Sequence, residues 1–295
     1  MNIQKYKILL RAVDTGSFTK AASQLNYTPS GITHMMNSIE EELGFTILKR
    51  SPKGVSLTKE GEKILPIVRE IVKWEENLSQ TTAEIRGAHY GTLALGSYSS
   101  IAAQWLPGII KDFKKDYPNI RIKIMEGVWQ EVAENLDRNV VDLGFMSYQE
   151  HTRYEWILLK EDPMLAILPP GHKRAGDASY PLCACMEEEI IMPASGHDFD
   201  VEQLFKKEHL KPEMSYETIE NYSALSMIEK GIGMSIMNEL ITLGRTANVV
   251  KLPLDPPRSI YMGVACTDFA KLSPVGKIFM EYVLKTFRDR PDTAV

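Results

Sequence analysis

Four polar side chains recur at helical spacing within one short segment of the chain. They are Ser30, Thr33, His34 and Asn37, at positions i, i+3, i+4 and i+7, which share one face of an α-helix. Such side chains form hydrogen bonds with base edges, and asparagine can contact adenine through two of them. The alternative is a solvated helix face without a partner, so the neighbouring elements have to decide between the two.

The flanking sequence predicts a helix-turn-helix around this face. Thr28-Pro29 is an N-cap followed by proline at the first helical position, and Gly44 is a typical helix end. The opposite face carries one apolar stripe, formed by Ile32, Met36, Ile39 and Leu43. Two shorter helices precede it, with apolar positions at Ile3, Tyr6, Leu9, Leu10 and Val13, then at Phe18, Ala21, Ala22 and Leu25. Gly16 ends the first of these helices and Ser17 caps the second.

A basic hairpin after this helix completes a winged helix. Short strands are predicted at 46–49 and 55–57, with turn residues at 51–54 between them. Arg50 and Lys53 on this wing can contact the DNA backbone or minor groove, while the helix start at Thr28 favours a phosphate. Glu40, Glu41 and Glu42 are expected to point away from DNA into solvent. The predicted DNA-binding residues are Thr28, Pro29, Ser30, Thr33, His34, Asn37, Arg50 and Lys53.

The charge distribution agrees with DNA binding although the whole chain of 295 residues carries −5. Residues 1–58 hold seven Lys or Arg and four Asp or Glu, which gives +3 and leaves −8 for the remainder. The basic segment is therefore also the segment with the winged-helix pattern.

A long amphipathic helix follows Thr58. Its predicted seam has heptad spacing and consists of Ile64, Val68, Ile71, Glu75, Leu78, Thr82 and Ile85. A lone helix of this length needs a surface to lie against, so the sequence predicts dimerisation, with packing on its own chain as the alternative.

Beyond a hinge at 87–91, strands alternate with helices, which is typical of α/β units with largely parallel sheets. Strands are predicted at 92–96, 121–125, 141–146, 162–168, 190–192, 214–216, 234–237 and 260–265. Two blocks of this kind predict two lobes with a ligand cleft between them, at strand ends and helix starts.

The loop after the first of these strands is the leading candidate for the ligand site. Its hydroxyls and backbone amides suit a carboxylate, and its lack of Lys and Arg argues against a strongly charged anion. Turn and capping chemistry is the alternative for each loop. The candidate effector-binding residues are Ser97, Tyr98, Ser99, Ser100, Phe145, Ser147, Ser195, His197, Tyr222 and Ser223.

The N-terminal segment closely resembles the LysR-type transcriptional regulators. The resemblance lies in the runs 16–25, 28–33, 39–44, 48–50 and 57–61, and continues more loosely at 141–144, 170–172 and 224–233. It implies an all-α winged helix-turn-helix, a dimerising linker helix, and an α/β effector domain of two lobes that resembles type 2 periplasmic binding proteins. The expected domains are 1–58, 59–90 and 91–295, with lobe I at about 91–163 and 266–295 and lobe II at about 164–265.

Other classes of protein lack support in the sequence. Nucleophile-elbow, P-loop and dinucleotide-binding motifs are absent, and three cysteines form no metal-binding pattern, so we expect no catalytic residues, no metal and no cofactor. No apolar run approaches the roughly 18 residues of a membrane helix, and the N-terminus does not resemble a signal peptide, so a cytoplasmic location is expected.

The prediction is a cytoplasmic, sequence-specific regulator that binds double-stranded DNA and a small-molecule effector, for which a carboxylate is one candidate. It is expected to form a homodimer or homotetramer. The alternatives are a ligand-independent DNA-binding regulator and a solute-binding protein without catalysis.

Overall fold

The computed structural model describes residues 2–52, 54–150, 152–194, 198–244 and 246–289. The chain forms two compact units. The first contains the chain up to Gly91 together with Arg138–Val140, and the second contains Thr92–Asp137 and the chain from Val141 onward.

The first unit begins with three helices whose ends the sequence predicts. Ser17 and Thr28 cap the second and third helices, since each hydroxyl accepts a hydrogen bond from the backbone amide three residues later. Gly16 and Gly44 end the first and third helices in the left-handed conformation. The helices are α1 (Ile3–Thr15), α2 (Phe18–Leu25) and α3 (Pro29–Leu43).

One apolar core holds these helices together. The predicted stripe of α3 lies in it, with Ile32, Met36 and Ile39 almost fully buried. The other core residues are Tyr6, Ile8, Leu9, Ala12, Ala21, Ala22, Ile47, Leu48 and Val68. Burying the apolar stripe fixes the polar face of α3 outward.

The wing is an antiparallel hairpin of β1 (Leu48–Ser51) and β2 (Gly54–Leu57). Its first strand begins two residues later than predicted, and the Thr46 carbonyl before it accepts a hydrogen bond from the Thr58 hydroxyl at 2.8 Å. At the turn, Gly54 adopts a φ of +126°, and a Cβ there would lie 2.5 Å from the Gly16 carbonyl oxygen.

Helix α4 (Lys59–Ile85) is the predicted long helix, capped by Thr58. Its exposed apolar stripe differs from the predicted seam in the first turns, because Ile64 and Val68 pack into the core of the first unit. Glu75 also leaves the seam and forms an ion pair with Lys7 at 2.6 Å. The exposed apolar side chains, spaced by 4, 3, 4 and 7 residues, are Ile67, Ile71, Trp74, Leu78 and Ile85.

The second unit contains the remaining regular elements of the described chain. The strands are β3 (Gly91–Ser97), β4 (Ile120–Glu126), β5 (Leu143–Ser147), β6 (Glu155–Leu168), β7 (Tyr180–Pro181), β8 (Ile190–Met192), β9 (Met214–Glu217), β10 (Ser235–Asn238), β11 (Val250–Asp255) and β12 (Ser259–Cys266). The helices are α5 (Ser99–Gln104), α6 (Leu106–Asp116), α7 (Trp129–Asp137), α8 (Phe199–Lys207), α9 (Asn221–Glu229), α10 (Glu239–Thr242) and α11 (Pro274–Asp289), with 3-10 turns at Leu182–Glu187 and Phe269–Lys271.

The main sheet is mixed, so the expectation of largely parallel sheets is wrong. Its order is β4-β3-β5-β12-β6-β11-β7, with β10 also paired to β6. The long strand β6 pairs antiparallel with β12, β10 and β11. Parallel pairing occurs in β3–β5, β7–β11 and the separate pair β8–β9. Antiparallel pairing of β6 with β12 arises because the chain passes between the lobes on β6 and returns along it on β12.

The largest apolar core of each lobe is separate from that of the other. The core of lobe I includes Leu95, Trp105, Phe113, Phe145, Val264 and Phe279. The core of lobe II includes Met164, Tyr180, Met192, Leu204, Phe205 and Met234. Strand β6 contributes its second half to the lobe II core and runs beside lobe I in its first half. Among the described helices, none has the length and apolar content needed to cross a membrane.

Candidate DNA-binding surface and effector cavity

The polar face of α3 forms an accessible surface. Ser30, His34 and Asn37 are exposed, while Thr33 is half-buried and donates its hydroxyl to the Pro29 carbonyl at 3.0 Å. These four side chains lie on the side of α3 opposite its buried stripe. The structure therefore brings together the predicted base-contacting side chains.

The N-terminus of α3 is exposed at Thr28 and Pro29. The Thr28 hydroxyl caps the helix through the Gly31 amide at 3.1 Å and lies 3.2 Å from the Ser30 hydroxyl. A helix start with exposed hydroxyls and a positive dipole end is suited to a phosphate group.

Arg50 joins the wing to the face of α3. Its guanidinium donates to Asn37 Oδ1 at 2.5 Å and lies over the Phe18 ring, 5.3 Å from the centroid. It also lies 3.4 Å from Glu40 Oε2. Wing and helix thus form one surface through a side chain that remains exposed. Lys53, the other predicted wing contact, lies outside the described residues.

Glu40 has a structural role that the sequence analysis missed. Its Oε1 accepts hydrogen bonds from the backbone amides of Ile47 and Leu48, at 2.7 and 3.0 Å. The expectation that it extends into solvent is therefore wrong. Glu40 binds the start of the hairpin to α3, and so positions Arg50 beside Asn37.

The second unit contains a cavity of about 770 Å³ between its lobes. Lobe I contributes the loop after β3 and the segment that leads into α7. Lobe II contributes the starts of α8 and α9 and the end of β10. The lining residues are 98–100, 126–131, 194, 198–200, 219–221, 238 and 241. This volume is ordinary for a small-molecule site.

Three predicted effector residues line this cavity, namely Tyr98, Ser99 and Ser100. Ser97 is buried and donates to the Tyr98 carbonyl at 2.9 Å, and Phe145 fills the core of lobe I. These two side chains lie behind the cavity wall because they point to the buried side of the sheet.

The predicted residues of lobe II are placed differently. Tyr222 and Ser223 are exposed on α9 outside the cavity, and the residues just before them, Ile219, Glu220 and Asn221, line it instead. Ser195 and His197 lie outside the described residues. The helix begins where the sequence predicts, at Glu220 and Asn221, but the side chains that line the cavity lie just before the predicted pair.

Asp200 connects the two lobes and was not predicted. Its Oδ1 accepts from Ser147 at 2.7 Å and Gln149 at 3.0 Å, and its Oδ2 accepts from the Tyr98 hydroxyl at 3.0 Å. Ser147 is therefore fully buried behind a carboxylate of the chain itself. The neighbouring Asp198 caps α8 through the amides of Asp200 and Val201.

Burial perturbs the ionisation of this cluster. The pKa of Asp200 is raised to about 7, first by burial and then by the charge of Asp198, although three donors oppose the shift. Burial likewise raises the pKa of Asp198, and burial together with the Asp200 charge raises that of Tyr98. A second buried carboxyl, Asp162, has a pKa raised to about 6 by burial, and accepts hydrogen bonds from the cavity residue Asn238 and the Leu240 amide.

An aromatic pair also crosses the cleft. Trp129 of α7 stacks on Phe199 of α8, with ring centroids 5.1 Å apart and planes 19° apart. These contacts were hard to predict from the sequence. A carboxylate just before a helix is an ordinary N-cap, and only the run Asp198-Phe199-Asp200, with two acids beside an aromatic residue, could have marked the segment.

Two family models match most of the chain. Residues 3–62 match the bacterial regulatory helix-turn-helix protein of the lysR family, and residues 86–288 match the LysR substrate binding domain. One relative, the HTH-type transcriptional regulator YvbU of Bacillus subtilis strain 168, is 29% identical over 97% of this chain and 99% of its own length.

Solved structures of low identity share the fold. Full-length OxyR from Pseudomonas aeruginosa has a TM-score of 0.75 at 18% identity, covering 98% of this chain and 95% of its own. CbnR in complex with its target DNA has a TM-score of 0.67 at 20% identity, covering 97% and 100%. The effector binding domain of QuiR in complex with shikimate has a TM-score of 0.61 at 21% identity, covering 68% and 98%. With both family models matched, this chain belongs to the LysR family of bacterial transcriptional regulators, which are not enzymes.

Proposed function

We propose that this regulator binds operator DNA through one surface formed by α3 and the wing, under the control of a small molecule in the lobe cleft. The observation that carries the proposal is the exposed polar face of α3, joined to the wing by the Arg50–Asn37 hydrogen bond. In this proposal DNA binding belongs to residues 1–58, dimerisation to 59–90 and effector binding to 91–295.

The roles of the DNA-binding side chains follow from their chemistry. Ser30, Thr33, His34 and Asn37 would contact base edges in the major groove, as expected for the second helix of a helix-turn-helix. Thr28 and Pro29 at the start of α3 would position a phosphate. Arg50 and Lys53 would contact the backbone or the minor groove. Arg50 donates to the Asn37 oxygen that would accept the adenine amino group, so it competes with adenine for Asn37.

The cleft is the proposed effector site. Tyr98, Ser99 and Ser100 support this assignment because they line a cavity of suitable size, and the related effector domain of QuiR binds shikimate. Ser97, Phe145, Ser147, Ser195, His197, Tyr222 and Ser223 remain candidates whose contribution would be indirect or would require lobe movement. A ligand that binds one arrangement of the lobes more tightly would shift the population toward it.

The exposed stripe of α4 supports assembly into a homodimer or homotetramer. Five large apolar side chains at heptad-like spacing are costly to leave in water and are typical of a helix that packs on a second copy. Since operator DNA lies in the bacterial cytoplasm, we include that location in the proposal.

The test is selection from a library of random DNA duplexes with the purified full-length protein. We expect enrichment of one sequence, which should bind at least about a thousandfold more tightly than random DNA at matched salt. Arg50→Glu should abolish enrichment. Lys207→Glu reverses one charge at an exposed position of α8 in the second unit. It is the matched control, since it changes the net charge equally. No enrichment by the wild-type protein, or equal loss in both variants, would contradict the proposal.

A further inference from the structure

The wall of the effector cavity is acidic. Five carboxylates line it, and among the described residues no Lys or Arg does so. Three of them are exposed at its mouth: Glu126, Glu131 and Glu220. The other two, Asp198 and Asp200, lie at the start of α8 inside the cleft. The three exposed carboxylates give the mouth charge of one sign, and such a mouth concentrates ligands of the opposite sign.

The positions suited to a ligand anion already hold carboxylates of the chain. Asp200 accepts hydrogen bonds from the hydroxyls of Tyr98 and Ser147, two residues predicted to bind the effector. Asp198 accepts hydrogen bonds from the backbone amides of Asp200 and Val201 in the first turn of α8.

The other helix starts in the cleft are similarly acidic. At the start of α7, Glu131 accepts the Val128 amide at 3.1 Å. Helix α9 has no side-chain cap, but its N-cap residue is Glu220, whose charge opposes an incoming anion. A second carboxylate placed beside these groups would meet like charge in a partly dry site.

The uncharged part of the wall suits a cation with an apolar body. The stacked rings of Trp129 and Phe199 form one side, and aromatic faces attract cationic groups. Two acceptor oxygens of lining residues, Gln130 Oε1 and Asn221 Oδ1, are shielded from solvent without a hydrogen-bond partner among the described residues. The unpartnered donor of the same wall, Trp129 Nε1, is uncharged.

We infer that the effector of this regulator carries a cationic group, a protonated amine or guanidine, rather than a carboxylate. The inference rests on the proposed effector role of the cavity. The cationic group binds between the mouth carboxylates and the aromatic pair, and donates hydrogen bonds to the shielded acceptor oxygens.

The experiment compares amines with carboxylates of closely similar skeleton, using full-length protein. Suitable pairs are benzylamine with benzoate, phenethylamine with 3-phenylpropionate, and cyclohexylamine with cyclohexanecarboxylate. Thermal shift ranks them, and titration calorimetry gives Kd for each. We expect at least one amine to bind at least about tenfold more tightly than its carboxylate partner, since one favourable charge contact in a partly desolvated site has this effect.

A pair of double variants tests where the amine binds. Glu126→Gln with Glu220→Gln removes two charges at the mouth and should raise the Kd of the amine by about tenfold or more. Glu134→Gln with Glu281→Gln removes two exposed charges outside the cavity and should leave Kd within about twofold. Equal weakening in both variants would assign the effect to net charge and overturn the inference.

The outcomes separate this inference from the proposed function. Tight binding of the carboxylates but not the amines overturns the cationic effector and leaves the effector role of the cavity standing. Binding of neither class overturns the cationic effector, whereas the selection of an operator sequence tests DNA binding independently. If the wild-type protein binds neither class of ligand and also selects no operator sequence, the proposed function itself is overturned.

Discussion

In the free protein, two side chains of the proposed DNA-contacting surface, Arg50 and Asn37, are hydrogen-bonded to each other. Arg50 donates to the same Asn37 oxygen that an adenine amino group would use. The contact is exposed, so separating this pair costs on the order of 1 kcal/mol or less. The released guanidinium then becomes available to a phosphate, which offsets that cost on DNA.

Asn37→Ala should relax base preference rather than abolish binding. The loss of a bidentate contact should reduce discrimination at one base pair by about 1–3 kcal/mol, while phosphate contacts persist. The measurement is the affinity for the selected operator and for each of its single-base variants. Gln4→Ala changes an exposed side chain of α1 outside the predicted DNA-contacting set and should leave the pattern unchanged. Unaltered discrimination in Asn37→Ala would remove Asn37 from the base-contacting set.

Asp200 should make the second unit less stable as pH rises. Its pKa is about 7 in the fold and near 3.9 in an unfolded chain, so between these values the folded chain holds a proton that the unfolded chain has lost. Stability then falls with rising pH through this window, and the loss is complete above it. Asp198 and Tyr98, the titratable groups around Asp200, also have raised pKa values. Both remain when Asp200 alone is replaced, so a comparison of that variant with wild type isolates Asp200.

Asp200→Asn removes the titrating group and keeps an acceptor for Tyr98 or Ser147. Wild type loses stability as pH rises and the variant does not. The difference in unfolding free energy, variant minus wild type, should therefore rise by about 3 kcal/mol from about pH 5 to about pH 8. Denaturation followed by tryptophan fluorescence suits this test, since Trp105, Trp129 and Trp156 belong to the second unit. Asp116→Asn changes an exposed carboxylate at the end of α6 and should show no such gain. The same difference between wild type and Asp200→Asn at both pH values would contradict the assignment.

Helix α4 has apolar residues on two sides, one buried within its own unit and one exposed. The side containing Ile64 and Val68 covers the winged helix, and the side containing Ile71 and Leu78 remains open. A stripe of this kind can stabilise a dimer without disturbing the core of the unit that carries it.

Ile71→Glu with Leu78→Glu should therefore dissociate the oligomer and leave the helix folded. Two buried carboxylates in an apolar seam should raise the dimer Kd by at least about a hundredfold. Sedimentation velocity measures the assembly, and far-UV circular dichroism checks the helix. Lys59→Glu, exposed in the first turn of α4, is the control and should remain assembled. An unchanged sedimentation coefficient in the double variant would exclude this stripe as the interface.

Local features were predictable from the sequence and contacts between distant residues were not. The caps at Ser17 and Thr28 and the turn at Gly44 depend on neighbouring residues, and they were predicted correctly. The seam of α4 was placed wrongly in its first turns because packing on the winged helix, not spacing, decides which side is buried. Asp200 was missed because its partner Tyr98 lies 102 positions away. Strand direction around β6 is likewise set by lobe crossing, which no local pattern records.

Charge is segregated along the whole molecule. The first 58 residues carry +3 within a chain of −5, so the acidic remainder opposes DNA wherever it approaches the duplex. Binding must then come from local phosphate contacts at the winged helix. Such contacts release counterions, and the affinity falls with salt in proportion to their number.

The salt dependence should therefore report how many winged helices bind DNA together. The slope of log K against log salt is about −0.9 for each phosphate neutralised, so a dimer on its operator should have about twice the slope of one copy. Ile71→Glu with Leu78→Glu should halve the slope, although its winged helix is intact. Lys59→Glu should keep the slope of an assembled dimer, lowered by at most about one contact in each copy. Anisotropy titrations of the selected operator across several salt concentrations supply both values. A full slope from the dissociated variant would mean that a single copy makes all the phosphate contacts, and that α4 does not pair winged helices on DNA.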